Sequence, residues 1–136
     1  MPRHIALVTY HELPTLADDD RLLIPALAAH GLDAVPAVWN DPTIDWSRFD
    51  AAIVRSTWDY YHDLAAFNQW ISHVESSGAR LHNPPGVLRW NADKRYLRDL
   101  ETRGVAVVPT RWVEAGDCIT LAALLDECDW EDAVVK

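Results

Sequence analysis

The chain has 136 residues, of which 49% are hydrophobic and 24% charged, a composition typical of one globular domain and unlike a disordered or fibrous protein. The net charge of −9 repels phosphate backbones and anionic lipids, so we expect neither nucleic acid nor a membrane as a partner. The longest uncharged runs have 11 residues, too few to cross a bilayer. No secretory signal begins the sequence, which favours a cytoplasmic protein.

The first elements are a strand and a helix. The apolar run Ile5 to Tyr10 predicts a buried strand. Asp18 to Asp20 then precede an apolar stretch that ends at Gly31. Because carboxylates favour the N-terminus of a helix and glycine its C-terminus, a helix is predicted between them, with Pro25 near its first turns.

Two further strands and a second helix complete the first half. Ala34 to Trp39 and Ala51 to Val54 predict strands, and apolar residues at helical spacing from Asp63 to Gly78 predict a helix. Ala79 to His82 predicts a fourth strand. This alternation indicates an α/β fold with a Rossmann-like or flavodoxin-like parallel sheet covered by helices on both faces.

The breaker Asn83-Pro84-Pro85-Gly86 predicts a domain boundary. We therefore divide the chain into residues 1–85, a linker helix over 86–104, and the beginning of a second domain over 105–136. The predicted elements after the breaker are a helix over 93–103, extended segments at 105–108 and 111–113, a helix over 121–128 and the start of a strand at 133–136. A sequence that stops within a strand indicates a fragment, and unpartnered valines in the extended segments predict self-association.

Several kinds of site lack support. No glycine-rich phosphate loop and no dinucleotide fingerprint follow the first strand, which disfavours a dinucleotide site. The histidines form no close pair, and Cys118 and Cys128 match no metal spacing, so we predict no metal ligands and two free thiols.

The clearest candidate site follows the third strand, at Arg55, Ser56 and Trp58. Open α/β sheets bind ligands at the carboxyl ends of their strands. There, a guanidinium can hold a carboxylate, a hydroxyl can donate a hydrogen bond, and an aromatic ring can exclude water. The alternative is structural: Arg55 pairs with Asp59, and the aromatic side chains fill a core between domains.

A second candidate site is cationic. Residues 80–111 contain seven basic and three acidic residues, which suits a small anionic ligand or, alternatively, a solvated helix face. Lys94 lies in this segment, and Lys136 ends an apolar strand, where an ammonium group is costly unless it meets an anion. Alternatively, Lys136 extends into solvent.

Together these motifs resemble the N-terminal portion of the ATP-grasp ligase superfamily. The resemblance rests on Asp93-Lys94, Val134-Val135-Lys136, Asn83-Pro84-Pro85, and the runs over 54–60 and 88–97. Within the superfamily, the sequence is similar to the branch near bacterial glutathione synthetase and to the ATP-grasp ligases of D-cycloserine biosynthesis.

The resemblance implies a pre-ATP-grasp Rossmann-like domain followed by the truncated start of an ATP-grasp domain. It implies that ATP and Mg²⁺ activate a small-molecule carboxylate as an acylphosphate, which an amine or related nucleophile attacks. Lys94 and Lys136 would contact the nucleotide, and the magnesium ligands would follow residue 136, so the fragment alone should be inactive. The alternative is a stand-alone, non-catalytic α/β module for ligand binding or signalling.

Overall fold

The computed structural model describes residues 3–135 and has two compact units, one up to Asp93 and one from Lys94 onward. The first unit contains the strands β1 (Arg3–Thr9), β2 (Leu32–Val38), β3 (Ala51–Ser56) and β4 (Arg80–His82). Its helices are α1 (Asp18–Arg21), α2 (Leu23–Ala28), α3 (Leu64–Ser77) and α4 (Pro85–Ala92), with single 3₁₀ turns at Trp46–Arg48 and Tyr60–His62.

The four strands form one sheet in the order β2-β1-β3-β4, and every neighbouring pair is parallel. The predicted α/β class with a Rossmann-like parallel sheet is therefore confirmed. Each predicted strand of the first half is present, although its ends differ by a few residues.

Helices cover both faces of the sheet, as predicted. On one face, α2 packs on alternate residues of β1 and β3, including Ile5, Leu7 and Ala51. On the other face, α3 packs on the intervening residues, including Ala6 and Val8, and on an aromatic cluster. The members of that cluster are Trp39, Trp46, Phe67 and Trp70, whose neighbouring rings lie 5.2 to 6.2 Å apart.

The first predicted helix is divided into α1 and α2 at Leu22. Pro25 lies within the first turn of α2, where its missing N–H costs least. One continuous helix would require that N–H to bond the carbonyl of Arg21, so the proline accounts for the break.

Helix α3 agrees with the sequence prediction. The Asp63 carboxylate accepts a hydrogen bond from the Ala66 N–H and caps the first turn. Gly78 ends the helix with φ of 90°, a backbone conformation that favours glycine.

Helix α4 lies almost entirely within the linker helix predicted over 86–104, but the finer prediction of a helix over 93–103 left its residues out, because its first residues form the proline-glycine breaker. Pro85 occupies the first helical position, where a missing N–H is harmless. Arg89 of α4 binds Glu75 of α3 at 2.7 Å. The first unit therefore continues to Asp93, beyond the boundary predicted at residue 85.

The second unit contains α5 (Tyr96–Thr102) and α6 (Leu121–Cys128). Helix α6 matches its predicted bounds, and Thr120 caps it by accepting a hydrogen bond from Ala123. The predicted helix over 93–103 is shorter and begins at Tyr96. Residues 105–108, 111–113 and 133–135 form no regular strand, because none of them pairs with another segment within residues 3–135. Lys136 lies outside the described residues.

No helix within residues 3–135 has both the length and the apolarity needed to cross a bilayer.

Candidate functional site

The carboxyl ends of β1 and β3 lie side by side at the point where the strand order reverses. The chain passes from β1 to β2, which lies on one side of β1, and later enters β3, which lies on the other side of β1. The loops that follow β1 and β3 therefore diverge to opposite faces of the sheet and leave a crevice, the usual ligand position in open α/β sheets.

A β-bulge at Arg55 shapes this edge. Val8 of β1 pairs with Val54, but the next residue, Thr9, pairs with Ser56, so Arg55 is an extra residue in β3. Side chains of a regular strand alternate between the two faces. The extra residue interrupts that alternation and brings Arg55 and Ser56, which are consecutive, to the same face as α1.

Asp20 of α1 joins these two residues. Its Oδ1 accepts a hydrogen bond from Nε of Arg55 at 2.7 Å and lies 2.6 Å from Nη2. Its Oδ2 accepts a hydrogen bond from the Ser56 hydroxyl at 2.5 Å. Asp20 is 5% exposed and Ser56 is fully buried. The hydrogen-bonded cluster of Asp20, Arg55 and Ser56 is therefore anchored in the buried part of the domain.

The environment of Asp20 favours its charged form. Burial alone would raise the pKa of the carboxyl, but the hydrogen bonds from Ser56 and Arg55 and the charge of Arg55 outweigh burial. The pKa of Asp20 therefore lies below its ordinary value, and the carboxylate is ionised at neutral pH.

Arg55 retains donors that can bind a ligand. Its side chain is 43% exposed, and the contacts with Asp20 occupy its Nε and one side of Nη2. Within residues 3–135 nothing engages Nη1. The edge of the guanidinium formed by Nη1 and Nη2 therefore offers parallel N–H groups, the arrangement that binds a carboxylate through both of its oxygens.

The alternative prediction, in which Arg55 pairs with Asp59, is wrong about the partner. Asp59 accepts a hydrogen bond from the indole N–H of Trp39 at 2.7 Å, and its other oxygen lies 3.5 Å from Nδ1 of His11. Asp20 takes the place predicted for Asp59 because α1 covers the face to which the bulge turns Arg55.

Trp58 is an exposed aromatic side chain beside this edge. The residue is 58% exposed, and its ring lies 6.0 Å from that of Tyr10, which follows β1. The two rings come from the two loops that border the crevice, so they are available to an apolar part of a ligand.

The second unit carries the predicted nucleotide residue Lys94, in the turn before α5. Its ammonium group lies 5.9 Å from the centroid of the Tyr96 ring. Nearby, Arg98 stacks on Trp112 at 4.4 Å and pairs with Glu114 at 3.0 Å. Part of the basic segment thus forms local contacts within its own unit.

Residues 3–135 contain no cluster of histidine, cysteine and carboxylate side chains that could bind a metal ion. Cys118 and Cys128 are free thiols, as predicted.

Asp20 is the site residue that sequence reasoning missed. Because it belongs to a run of acidic residues, it was interpreted only as part of a helix N-terminus. No local pattern links it to Arg55, which is 35 residues away in the sequence. Only the pairing of β1 with β3 and the bulge bring the two together.

The parallel sheet and the helices on both its faces define the chain's first unit as a Rossmann-like α/β domain. Residues 5–83 match the family model of the N-terminal domain of D-cycloserine synthetase DcsG, and the chain belongs to this family.

One relative is the cycloserine biosynthesis protein DcsG of Streptomyces lavendulae, 39% identical over 125 residues, which cover 90% of this chain and 40% of the relative. The crystal structure of D-cycloserine synthetase DcsG matches with a TM-score of 0.75 and 37% identity, over 93% of this chain and 42% of that one. The chain thus spans about two fifths of the length of these proteins. It is a member of a family of biosynthetic enzymes.

Proposed function

We propose that the chain forms the substrate-binding N-terminal part of an ATP-dependent ligase that joins a carboxylate to an amine or a related nitrogen nucleophile. Its relatives are named for D-cycloserine, a ring closed by an acyl C–N bond. A free carboxylate is a poor acyl donor, so formation of such a bond requires an activated acyl group, and ATP supplies that activation as an acylphosphate. The motifs that resemble ATP-grasp ligases support the same reaction.

The open edge of Arg55 is the observation that carries this proposal. A guanidinium held in the crevice, with Nη1 and one side of Nη2 available, presents two parallel donors to a substrate carboxylate. Trp58 and Tyr10 would pack against the apolar part of the substrate. Ser56 is buried with its hydroxyl bonded to Asp20, so it would act on the substrate through Asp20 and Arg55.

The nucleotide side of the proposal rests on Lys94 and Lys136. Both would contact ATP, with Lys94 at the start of the second unit. The residues described do not fit a magnesium site, so we assign no Mg²⁺ ligand and no step through the metal within this chain.

The test compares Arg55→Lys with Arg89→Lys in the complete protein. Both replace an arginine that pairs with a carboxylate, but Arg89 lies on α4 and its partner is Glu75 of α3. Because lysine loses the two-donor geometry, Arg55→Lys should raise KM for the carboxylate substrate about tenfold and leave KM for ATP nearly unchanged. Arg89→Lys should change neither value.

Measurement of ADP release gives the KM values for the carboxylate substrate and for ATP. The carboxylate substrates are derivatives of D-serine in which the side-chain oxygen carries a nitrogen nucleophile. An unchanged carboxylate KM in Arg55→Lys contradicts the assignment of Arg55. Absence of ATP-dependent turnover with every such acid contradicts the proposed reaction for these substrates.

A further inference from the structure

The guanidinium of an arginine has two edges that can each present a pair of parallel N–H groups. One is formed by Nε and Nη2, and the other by Nη1 and Nη2. In Arg55, Asp20 occupies the first edge, with contacts of 2.7 and 2.6 Å. The second edge is the one left for a ligand.

Asp20 is itself held in place. It is 5% exposed, its second oxygen accepts the hydrogen bond from Ser56, and α1 carries its backbone. The bulge at Arg55 allows Ser56 and Arg55 to reach the same carboxylate. The orientation of the Arg55 guanidinium is thus fixed by a chain of contacts that begins in the buried sheet.

From this geometry we infer that Asp20 is a positioning residue, which turns the Nη1–Nη2 edge of Arg55 to the crevice and so selects a planar carboxylate as ligand. The inference rests on the proposed function, in which Arg55 binds the substrate carboxylate. A long side chain loses rotational freedom when it binds. Because Asp20 has already ordered Arg55, less of that freedom remains to be lost when the carboxylate arrives.

The negative charge of Asp20 also has an opposing effect, because it offsets the positive charge that attracts an anion. The charge attraction of a single exposed ion pair contributes little to affinity in water. A carboxylate that binds two donors of one guanidinium depends strongly on the orientation of that guanidinium. We therefore expect the positioning effect to exceed the loss of attraction. The opposite order would make Asp20 a competitor of the ligand, and the two cases predict opposite changes in affinity.

The first experiment uses the unaltered 136-residue chain and D-serine as the probe, followed by NMR of the arginine side chains. D-Serine should shift the Nη1 signals of Arg55 and leave its Nε signal in place, and D-serinamide, which lacks the carboxylate, should shift neither. A shift confined to Nε would mean that the probe displaces Asp20, and would overturn the inference.

The second experiment measures the D-serine dissociation constant in Asp20→Asn, with Glu75→Gln as the matched control for loss of an arginine-paired carboxylate. Asp20→Asn should weaken binding about tenfold and merge the separate Nη signals of Arg55, because the guanidinium then rotates freely. Glu75→Gln should do neither. Unchanged or tighter binding in Asp20→Asn overturns the inference.

Arg55→Ala separates this inference from the function on which it rests. If Arg55→Ala abolishes binding while Asp20→Asn has no effect, the carboxylate site stands and the role of Asp20 fails. If D-serine binds equally well to Arg55→Ala, the carboxylate site itself is wrong. The NMR titration of the unaltered chain decides the role of Asp20 even where Asp20→Asn does not fold.

Discussion

The buried carboxylate of Asp20 makes the stability of the first unit sensitive to acid. Its pKa is lowered in the folded chain, so folding favours the ionised form. The resulting stabilisation is fully present above the pKa of an unfolded aspartate, about 3.9, and is lost as the pH falls through the lower, folded pKa. The relevant range therefore lies at and below about pH 4.

Asp20→Asn removes this contribution while nearly keeping the size of the side chain. Hydrogen bonds to a charged group contribute about 1.5 to 3 kcal/mol and neutral ones about 0.5 to 1.5 kcal/mol. Three donor contacts lose their charged acceptor, but the exposed part of Arg55 regains water. We expect the free energy of unfolding to fall by about 2 kcal/mol at pH 7.

Urea unfolding followed by tryptophan fluorescence at pH 7, 5, 4 and 3 tests this expectation. The difference between the original chain and Asp20→Asn should be constant from pH 7 to 5 and shrink below pH 4, where Asp20 becomes protonated. Asp41 also has a lowered pKa, mainly because it accepts hydrogen bonds from Thr43, but it is less buried than Asp20. Asp41→Asn is therefore the control, with a smaller effect at pH 7. An Asp20→Asn difference that stays constant down to pH 3 would refute the reasoning.

Three further predictions concern the backbone, the surface and the nucleotide. Gly78→Ala should lower the free energy of unfolding by about 1 kcal/mol, because φ of Gly78 is 90°. Gly86 lies within α4 with open space around it, so Gly86→Ala should raise the free energy of unfolding by up to about 1 kcal/mol. Thermal melts in which both substitutions change the stability in the same direction would contradict the backbone argument. Val108 and Val134 are 79% and 83% exposed, so sedimentation should show self-association, and a clean monomer at high concentration would count against it. Calorimetry of the 136-residue chain should detect no tight ATP binding; a micromolar dissociation constant would show that the nucleotide site has been misplaced.

The elements that could be predicted from the sequence are those whose causes are local. Helix α3 carries its cap at Asp63, its apolar spacing and its stop at Gly78 within a single segment. The same holds for α6, which Thr120 caps. The prediction of a helix over 93–103 missed α4, because Pro84 and Pro85 indicate a breaker when they are considered alone. Proline at a first helical position is nevertheless compatible with a helix, and the contact of Arg89 with α3 stabilises it here.

The place of Arg55 in the fold could be predicted from the sequence, but its partner could not. That Arg55 lies at the carboxyl end of β3 follows from the strand alternation and the general position of ligands in parallel sheets. Its contact with Asp20 depends on the sheet register, which a single sequence does not display. One extra residue in β3 decides which face Ser56 occupies, and therefore whether two donors or one reach Asp20.

The departures from regular structure in the first unit gather near this same edge of the sheet. Leu16, in the loop after β1, has φ of 69°, a costly conformation for a residue with a branched side chain. It is nevertheless fully buried, and its carbonyl accepts a hydrogen bond from Nε of Arg21, the residue after Asp20. Strain persists where the surrounding contacts determine the conformation, and it clusters at functional sites. The bulge at Arg55 brings two donor side chains to the Asp20 carboxylate, and the Leu16 carbonyl binds Arg21 at the end of the helix that carries this carboxylate. Both departures from regular backbone therefore lie in segments that bring Asp20 and Arg55 together.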